Sequence, residues 1–344
     1  GEEGGPGGTN VLLEAANTAR DHRGRPASRL QCSRGGSTLW HDSVQGCVVQ
    51  GAGGQHFSAI STSGGDLLLF SPAGRRMLPP IQLGCSAVVM AVRGWQLMVL
   101  TTDGRVRVWD VAQGKLKLEA DAGPLLRGPA AAEGSLLTAK LTHVGMPVLI
   151  MHNHHAYAYH EGWACWMRVA DDAFPASHFH STFSSNQGML GSVQAAVAGA
   201  RQPRDVLAAA NQPADVQKRA ARAHLECNVA SALAMQSPQE WRRWLVTYVR
   251  QLAADEDEAR LKEILNELLG PIRWSPTTHG AASAPGKGWE PKIMGQDKRQ
   301  ILRYDVLREV SRVRSPSMQS LATQSLEALK EAEATVAAAA AEAA

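Results

Sequence analysis

Four histidines, His152, His154, His155 and His160, fall in one short stretch and form the metal-like cluster of this chain. Imidazole nitrogens suit zinc or copper. Alternation along an extended strand would place His152, His154 and His160 on one face. A metal-dependent hydrolase is the chemistry such a set would support. Apart from Glu161, no Cys, Asp or Glu joins at ligand spacing, and no outer shell of orienting groups is visible. Cys165 stands between Trp163 and Trp166, which reads as apolar rather than activating. The chain also lacks GxSxG, the GxxxxGK-S/T phosphate loop, HExxH and a GxGxxG leading from strand to helix. These residues predict no enzyme and no cofactor, and they leave His152, His154 and His160 as the metal candidates.

The chemistry that remains is recognition. Asp103-Gly-Arg-Val-Arg-Val-Trp-Asp110 reads as a turn followed by a strand ending in a Trp-Asp pair. Gly104 allows the tight turn, and Gln113-Gly114 closes the segment. Trp109 is an amphipathic ring of the kind that anchors interfaces. The alternative is that Trp109 packs inside its own sheet while Asp110 caps the strand end. Trp241, Trp244 and Tyr248 form an aromatic stripe at helical spacing, either a core face or a dock for a partner helix.

Composition narrows the partners. The chain has 344 residues, 44% of them hydrophobic, enough for one large or two moderate domains with a real core. With 35 basic and 32 acidic residues the net charge is +3, which predicts weak or no direct DNA binding. Local basic runs at Arg201–Arg204 and Lys218–Arg222 read as solvated faces. Cys32, Cys47, Cys85, Cys165 and Cys227 are odd in number and widely spaced, as in reduced intracellular thiols. No apolar run approaches the length of a membrane span; Ala87–Leu100 is broken by Arg93. A first residue of Gly rather than Met points to a piece of a longer protein.

The elements that must position these residues predict an α+β chain, a β-rich, propeller-like region of partial blades followed by a helical region. Residues 1–30 read as linker, with a short helix at Val11–Arg20. Residues 31–170 read as short strands split by Gly, Pro and Asp turns. Gly65–Phe70, Gly104–Trp109 and His155–Tyr159 look alike, as blade repeats would, and Gly123–Gly134 supplies an insertion between the second and third. Residues 171–218 read as an irregular connection and residues 219–333 as helices. In the first helix Leu225, Val229, Ala232 and Leu233 share a face. Ser237-Pro-Gln-Glu240 is a capping box for the second, and Leu261, Ile264, Leu265, Leu268 and Leu269 form the stripe of the third. Gly270-Pro271 stop that helix. A Pro-rich loop follows to Lys292, then helices near Asp297–Val310 and Met318–Glu333. The alanine-rich residues 334–344 read as a low-complexity tail.

Several segments in this order resemble the C-terminal domain of the HIRA-type histone chaperones, over residues 30–315. They are Gly74-Arg-Arg-Met-Leu-Pro-Pro-Ile81, Val108-Trp-Asp-Val111 and Leu141-Thr-His-Val-Gly-Met-Pro-Val148, then Leu225–Gln236, Glu240–Tyr248 and Arg260–Pro271. The resemblance implies a nuclear, non-catalytic subunit of a complex that deposits the H3.3 variant with H4 independently of replication. It implies self-association as a homotrimer and binding of a calcineurin-binding-protein-like subunit, with histones H3.3–H4 contacted indirectly. The family's self-association pair maps onto Trp109 and Asp110. A generic Trp-Asp-repeat corepressor scaffold is the competing expectation.

Overall fold

Continuous apolar runs such as Leu67–Phe70 and Leu97–Leu100 can be strands only if both faces are covered, and stacked sheets do this. In the computed structural model, which describes residues 11–127, 135–171, 174, 177–179, 188–198, 211–272 and 288–342, such sheets make up the first of two units, divided after Arg168. Residues 1–10, Arg201–Arg204, most of the Gly123–Gly134 insertion and most of the Pro-rich loop lie outside the described residues.

The first unit opens with a three-stranded sheet of β1 (Val11–Arg20), β2 (Pro26–Arg34) and β3 (Ser37–Gln45). A four-stranded antiparallel sheet follows: β4 (Val48–Gly53), β5 (Ser58–Thr62), β6 (Asp66–Phe70) and β7 (Ile81–Gln82). The next contains β8 (Ala87–Arg93), β9 (Gln96–Thr101), β10 (Arg105–Asp110) and β11 (Lys115–Asp121). After a helical turn α1 (Gly123–Arg127), the last contains β12 (Leu136–Leu141), β13 (Pro147–Met151), β14 (Ala156–His160) and β15 (Cys165–Ala170). The three look-alike segments are therefore equivalent: β6, β10 and β14 are each the third strand of a four-stranded meander. First strands of successive sheets adjoin, β4 beside β8 and β8 beside β12, as in neighbouring propeller blades. Among the described residues the sheets do not close into a barrel.

Period-two alternation then explains the core. Ile60, Leu68 and Phe70 face the first sheet with Leu30 and Val44. Ala59, Leu67 and Leu69 face the other way, onto Leu97 and Val99. Met98, Leu100, Val106 and Val108 continue the stack onto Ala139, Leu141 and Leu149. The inner strands β6, β9 and β13 are buried on both sides, so they read as nearly unbroken hydrophobic runs.

One expectation fails here. Val11–Arg20 is a strand, not a helix. Its Ala-rich sequence has helical propensity, but it pairs along almost its whole length with β2. The turn that sets this pairing is local: Asp21 Oδ1 accepts the backbone N–H groups of Arg23 and Arg25 at 2.8 Å, and Gly24 has φ 75°.

The second unit contains α2 (Met189–Ala198), α3 (Ala214–Ala234), α4 (Pro238–Ala254) and α5 (Glu258–Leu269). A two-stranded hairpin of β16 (Lys292–Ile293) and β17 (Gln296–Asp297) leads into a helix built in three parts. These parts are Lys298–Ile301, a π-helical turn Leu302–Val306 and Leu307–Val310, together α6; α7 (Pro316–Glu342) follows. Three expectations change. The 171–218 stretch is not irregular throughout, since α2 lies within it. Residues 334–342 continue α7 rather than forming a loose tail, and Thr335 Oγ1 donates to the Ile272 carbonyl at 2.8 Å. The buried face of α3 is Ala221, His224, Leu225, Asn228 and Ala232, while Leu233 is 40% exposed. The face is rotated because His224 and Asn228 are buried polar residues with internal partners: Ser177 Oγ lies 2.9 Å from His224 Nδ1, and Gln194 Nε2 donates to Asn228 Oδ1 at 2.5 Å.

The capping box also works differently from its motif. Ser237 makes no side-chain cap; its hydroxyl donates to Glu240 Oε2 at 2.7 Å. Glu240 does not reach back to the Ser237 backbone. It accepts the N–H groups of Leu190 (3.0 Å) and Gly191 (2.8 Å), and so caps α2 from a position fifty residues away. A carboxylate at a helix N-terminus satisfies orphan donors and complements the dipole. Glu240→Gln should lower the stability of this unit by about 2 kcal/mol, because an amide hydrogen replaces one acceptor in a buried site. Gly188→Ala should do at least as much, since Gly188 has φ 119° and an added Cβ would lie 2.2 Å from the Glu240 carboxyl carbon. Thermal melts of both variants check this; unchanged melting in Glu240→Gln would mean that the cap contributes nothing.

Two further carboxylates tie this unit together. Asp257, the cap of α5, is pushed up by burial but held below its ordinary value by the Arg260 backbone N–H, the Arg260 guanidinium and Arg222. Glu309 is likewise pushed up by burial and more than offset by Arg250 and Arg312. A folded-state value below the unfolded one means that the unfolded chain takes up protons first as pH falls. The stabilisation is present above the ordinary values of 3.8 and 4.5, begins to fall there, and is lost as pH drops on through the lower folded-state values. Melting temperature should therefore fall on acidification below 4.5, and Glu309→Gln should flatten that limb while lowering the neutral-pH value. An acid limb unchanged by Glu309→Gln would refute the assignment.

Candidate interaction surface at the Trp109–Asp110 strand

The strand that carries Trp109 is fixed at both ends by local hydrogen bonds. At its start Asp103 Oδ1 accepts from the Thr101 hydroxyl (2.6 Å) and from the Arg105 N–H (3.2 Å), and Gly104 turns the chain with φ 91°. The Thr101 hydroxyl is the main reason the Asp103 carboxyl lies below its ordinary range. Along the strand Val106 and Val108 point into the core, while Arg105 and Arg107 both reach Glu119 on β11, at 3.2 and 3.0 Å. Arg107, then Arg105, hold the Glu119 carboxyl low.

At the far end the pairing of β10 with β11 shifts register between Val108 and Trp109. The extra residue is Lys117 of β11, so the irregularity lies on the partner strand opposite Trp109. Trp109 is half-buried, packing one side against the cluster of Phe57, Leu97 and Val99, and its indole N–H has no acceptor among the described residues. Asp110 Oδ1 accepts the Gln113 N–H at 3.1 Å and so closes the turn into β11. Both readings of the pair thus have a physical counterpart, a ring partly in the core and a carboxylate on a turn, with an open edge left over.

That edge is not isolated. Val111 N–H donates to the Trp95 carbonyl at 2.9 Å, which brings the β8–β9 turn alongside. Trp95 is 39% exposed, and the His56 ring stacks on it at 4.5 Å, nearly parallel. Sequence reasoning missed Trp95 and His56. The Gly94-Trp95 turn was the available signal, because a large aromatic at a turn between two apolar strands has no core to enter.

The other candidates fall elsewhere. Trp241, Trp244 and Tyr248 are buried in the second unit, with Leu245 and Leu252. The Tyr248 hydroxyl donates to Glu226 Oε1 at 2.6 Å, and burial is the first cause pushing its pKa up. The histidines do not share a strand face. β13 ends at Met151, and residues 152–155 form the turn into β14. Asn153 Oδ1 accepts the His155 N–H, His154 has φ 62°, and His160 Nδ1 accepts the Trp163 N–H as a cap. Among the described residues, no three His, Cys, Asp or Glu side chains gather as a metal site. Cys165 is exposed rather than enclosed, and Trp163 beside it is 76% exposed. No helix among the described residues is long and apolar enough to cross a membrane.

The model of the family described as "Hira: TUP1-like enhancer of split" matches residues 74–268, more than half of the chain. The chain belongs to the Hira family. Protein HIRA of Oryza sativa subsp. japonica is 33% identical over 315 residues, 89% of this chain and 32% of the relative. Protein HIRA of Homo sapiens is 30% identical over 301 residues, 86% of this chain and 28% of the relative. The chain thus spans about a third of the length of the curated relatives it matches. Among solved structures, the crystallised fragment HIRA(644-1017) superposes with a TM-score of 0.66 at 26% identity, covering 94% of this chain and 97% of the fragment.

The Hira-family match begins at Gly74, and the structure gives that segment a role. The Trp40 ring lies against Gly74, where a Cβ would stand 2.6 Å from it. Arg76 bonds Asp42 Oδ2 (3.1 Å) and the Ser43 carbonyl (3.0 Å). The Gly-Arg-Arg run therefore fastens the second sheet to the first.

Proposed function

We propose that this Hira-family domain is a non-catalytic, self-associating scaffold of a nuclear histone chaperone complex. In this reading three copies assemble through the Trp109–Asp110 end of β10, and the assembly holds a calcineurin-binding-protein-like subunit. Deposition of H3.3–H4 is then supported indirectly, by organising the complex rather than by gripping histones or DNA. The observation that carries the reading is the open edge at Trp109: a half-exposed indole without an acceptor among the described residues, opposite a register shift in β11, in a domain that superposes on HIRA(644-1017) over nearly its whole length. The near-neutral net charge of +3 supports weak DNA binding.

The test is the solution mass by light scattering on a sizing column. Closed cyclic symmetry requires a discrete stoichiometry, so the expected mass is about three times the chain's 36.8 kDa. A monomer would overturn the self-association and favour a generic Trp-Asp-repeat scaffold. A tight, salt-insensitive complex with duplex DNA would overturn the indirect role.

A further inference from the structure

The segment Lys298–Arg314 carries Lys298, Arg299, Arg303, Arg308, Arg312 and Arg314 against Asp305 and Glu309, a larger net charge than the +3 of the entire chain. Its polar surface is sorted by position. Asp305 and Glu309 turn toward α4, where Arg242 reaches Asp305 at 2.7 Å and Arg250 reaches Glu309 at 3.0 Å. Arg312 adds a second bond to Glu309 at 2.6 Å. Tyr304 and Arg308, one residue before each acid, share a row at i, i+4 spacing on the solvent side. Tyr304 is 63% exposed, and Arg308 and Arg314 are exposed. Among the described residues none of the three makes a hydrogen bond, ion pair or ring contact. Tyr304 also sits in the π-helical turn Leu302–Val306, which keeps Leu302 and Val306 buried beneath it. Such turns are rare and recur at functional sites.

We propose that the Tyr304–Arg308–Arg314 face docks an acidic segment of another polypeptide, one with several Asp or Glu side chains around an aromatic or aliphatic residue. Guanidinium forks match carboxylates in geometry, and an exposed phenol offers an amphipathic surface to an apolar neighbour. The number of free cations decides against nucleic acid. Arg308 and Arg314 neutralise about two phosphates, too few for a tight complex at physiological salt. This site lies on different residues from the Trp109 edge and does not depend on it.

The test uses the whole chain and a short fluorescein-labelled peptide of Asp and Glu around one central Phe, followed by fluorescence anisotropy. The arginine variant is Arg308→Glu with Arg314→Glu, both exposed and without a partner among the described residues, so melting should be unchanged. It should weaken peptide binding at least about tenfold. Tyr304→Ala should weaken it about threefold, and that loss should vanish when the peptide Phe is replaced by Ser. The same charge change at Arg29 and Arg34 of the first unit should leave binding unaltered. Equal weakening by both double variants would reduce the effect to general charge attraction and overturn the proposal. So would an absence of peptide binding, or tighter Arg308-dependent binding of a duplex DNA than of the peptide.

Discussion

Trp244→Ala should lower the melting temperature of the second unit by roughly 10 °C. Removing a buried Trp side chain costs about 3–5 kcal/mol, and in a unit of this size each kcal/mol is worth about 2–4 °C. The ring is nearly inaccessible. His224 lies with its centroid 6.4 Å away, and the Arg243 guanidinium covers the indole at 5.2 Å. One detail sets Trp244 apart from an ordinary core residue: its Nε1–H is buried without an acceptor among the described residues. An unsatisfied buried donor costs about 1–3 kcal/mol, so the indole stabilises by area while losing part of that to desolvation. Trp244→Phe removes the orphan donor and keeps an aromatic ring, and should change stability by less than about 1 kcal/mol. The contrast separates the two readings of the stripe. Core burial predicts a large loss for Ala, little for Phe, and no change in partner binding for Phe. A Trp244→Ala protein with unchanged melting but lost partner binding would place the stripe on the surface instead.

Much of this architecture was legible because the governing interactions are local or periodic. The Trp241–Leu252 stripe, the Gly270 stop with φ 65° and the repeated third strands β6, β10 and β14 follow from spacing and turn chemistry. What stayed hidden depends on distant partners. Val11–Arg20 becomes a strand because β2 lies beside it, against its helical propensity. α2 begins where it does because Glu240 caps it, and no residue near Met189 announces that. His224 and Asn228 rotate the face of α3, since a pattern of hydrophobic residues cannot count polar side chains that find a bonding partner inside. At the candidate surface the same limit applies: the Trp-Asp pair was visible, but His56 and Trp95 reach it only through the sheet, from other turns.

The second large expectation concerns that surface. Trp109→Ala combined with Asp110→Ala should convert the proposed trimer to monomer while leaving the circular dichroism of a folded chain. The size of the effect follows from symmetry. A buried aromatic anchor is worth about 2 kcal/mol or more at an interface. A cyclic trimer repeats that contact three times. The combined loss is on the order of 10⁴-fold in the trimer equilibrium constant. The same substitutions also act within one chain, because Trp109 packs partly against Phe57, Leu97 and Val99, and Asp110 closes the turn at Gln113. That intramolecular part should appear as a modest fall in melting temperature, common to monomer and assembly. Asp110→Asn divides the two contributions, since an amide oxygen can still accept the Gln113 N–H while the charge is gone. If Asp110→Asn melts like the parent chain yet shifts toward monomer, the carboxylate acts across the interface. If it stays trimeric and only the Trp109→Ala chain comes apart, the indole alone carries the contact and Asp110 is a turn residue. Loss of circular dichroism together with assembly in the double variant would return both residues to the core of their own sheet, and the self-association surface would have to be sought away from β10.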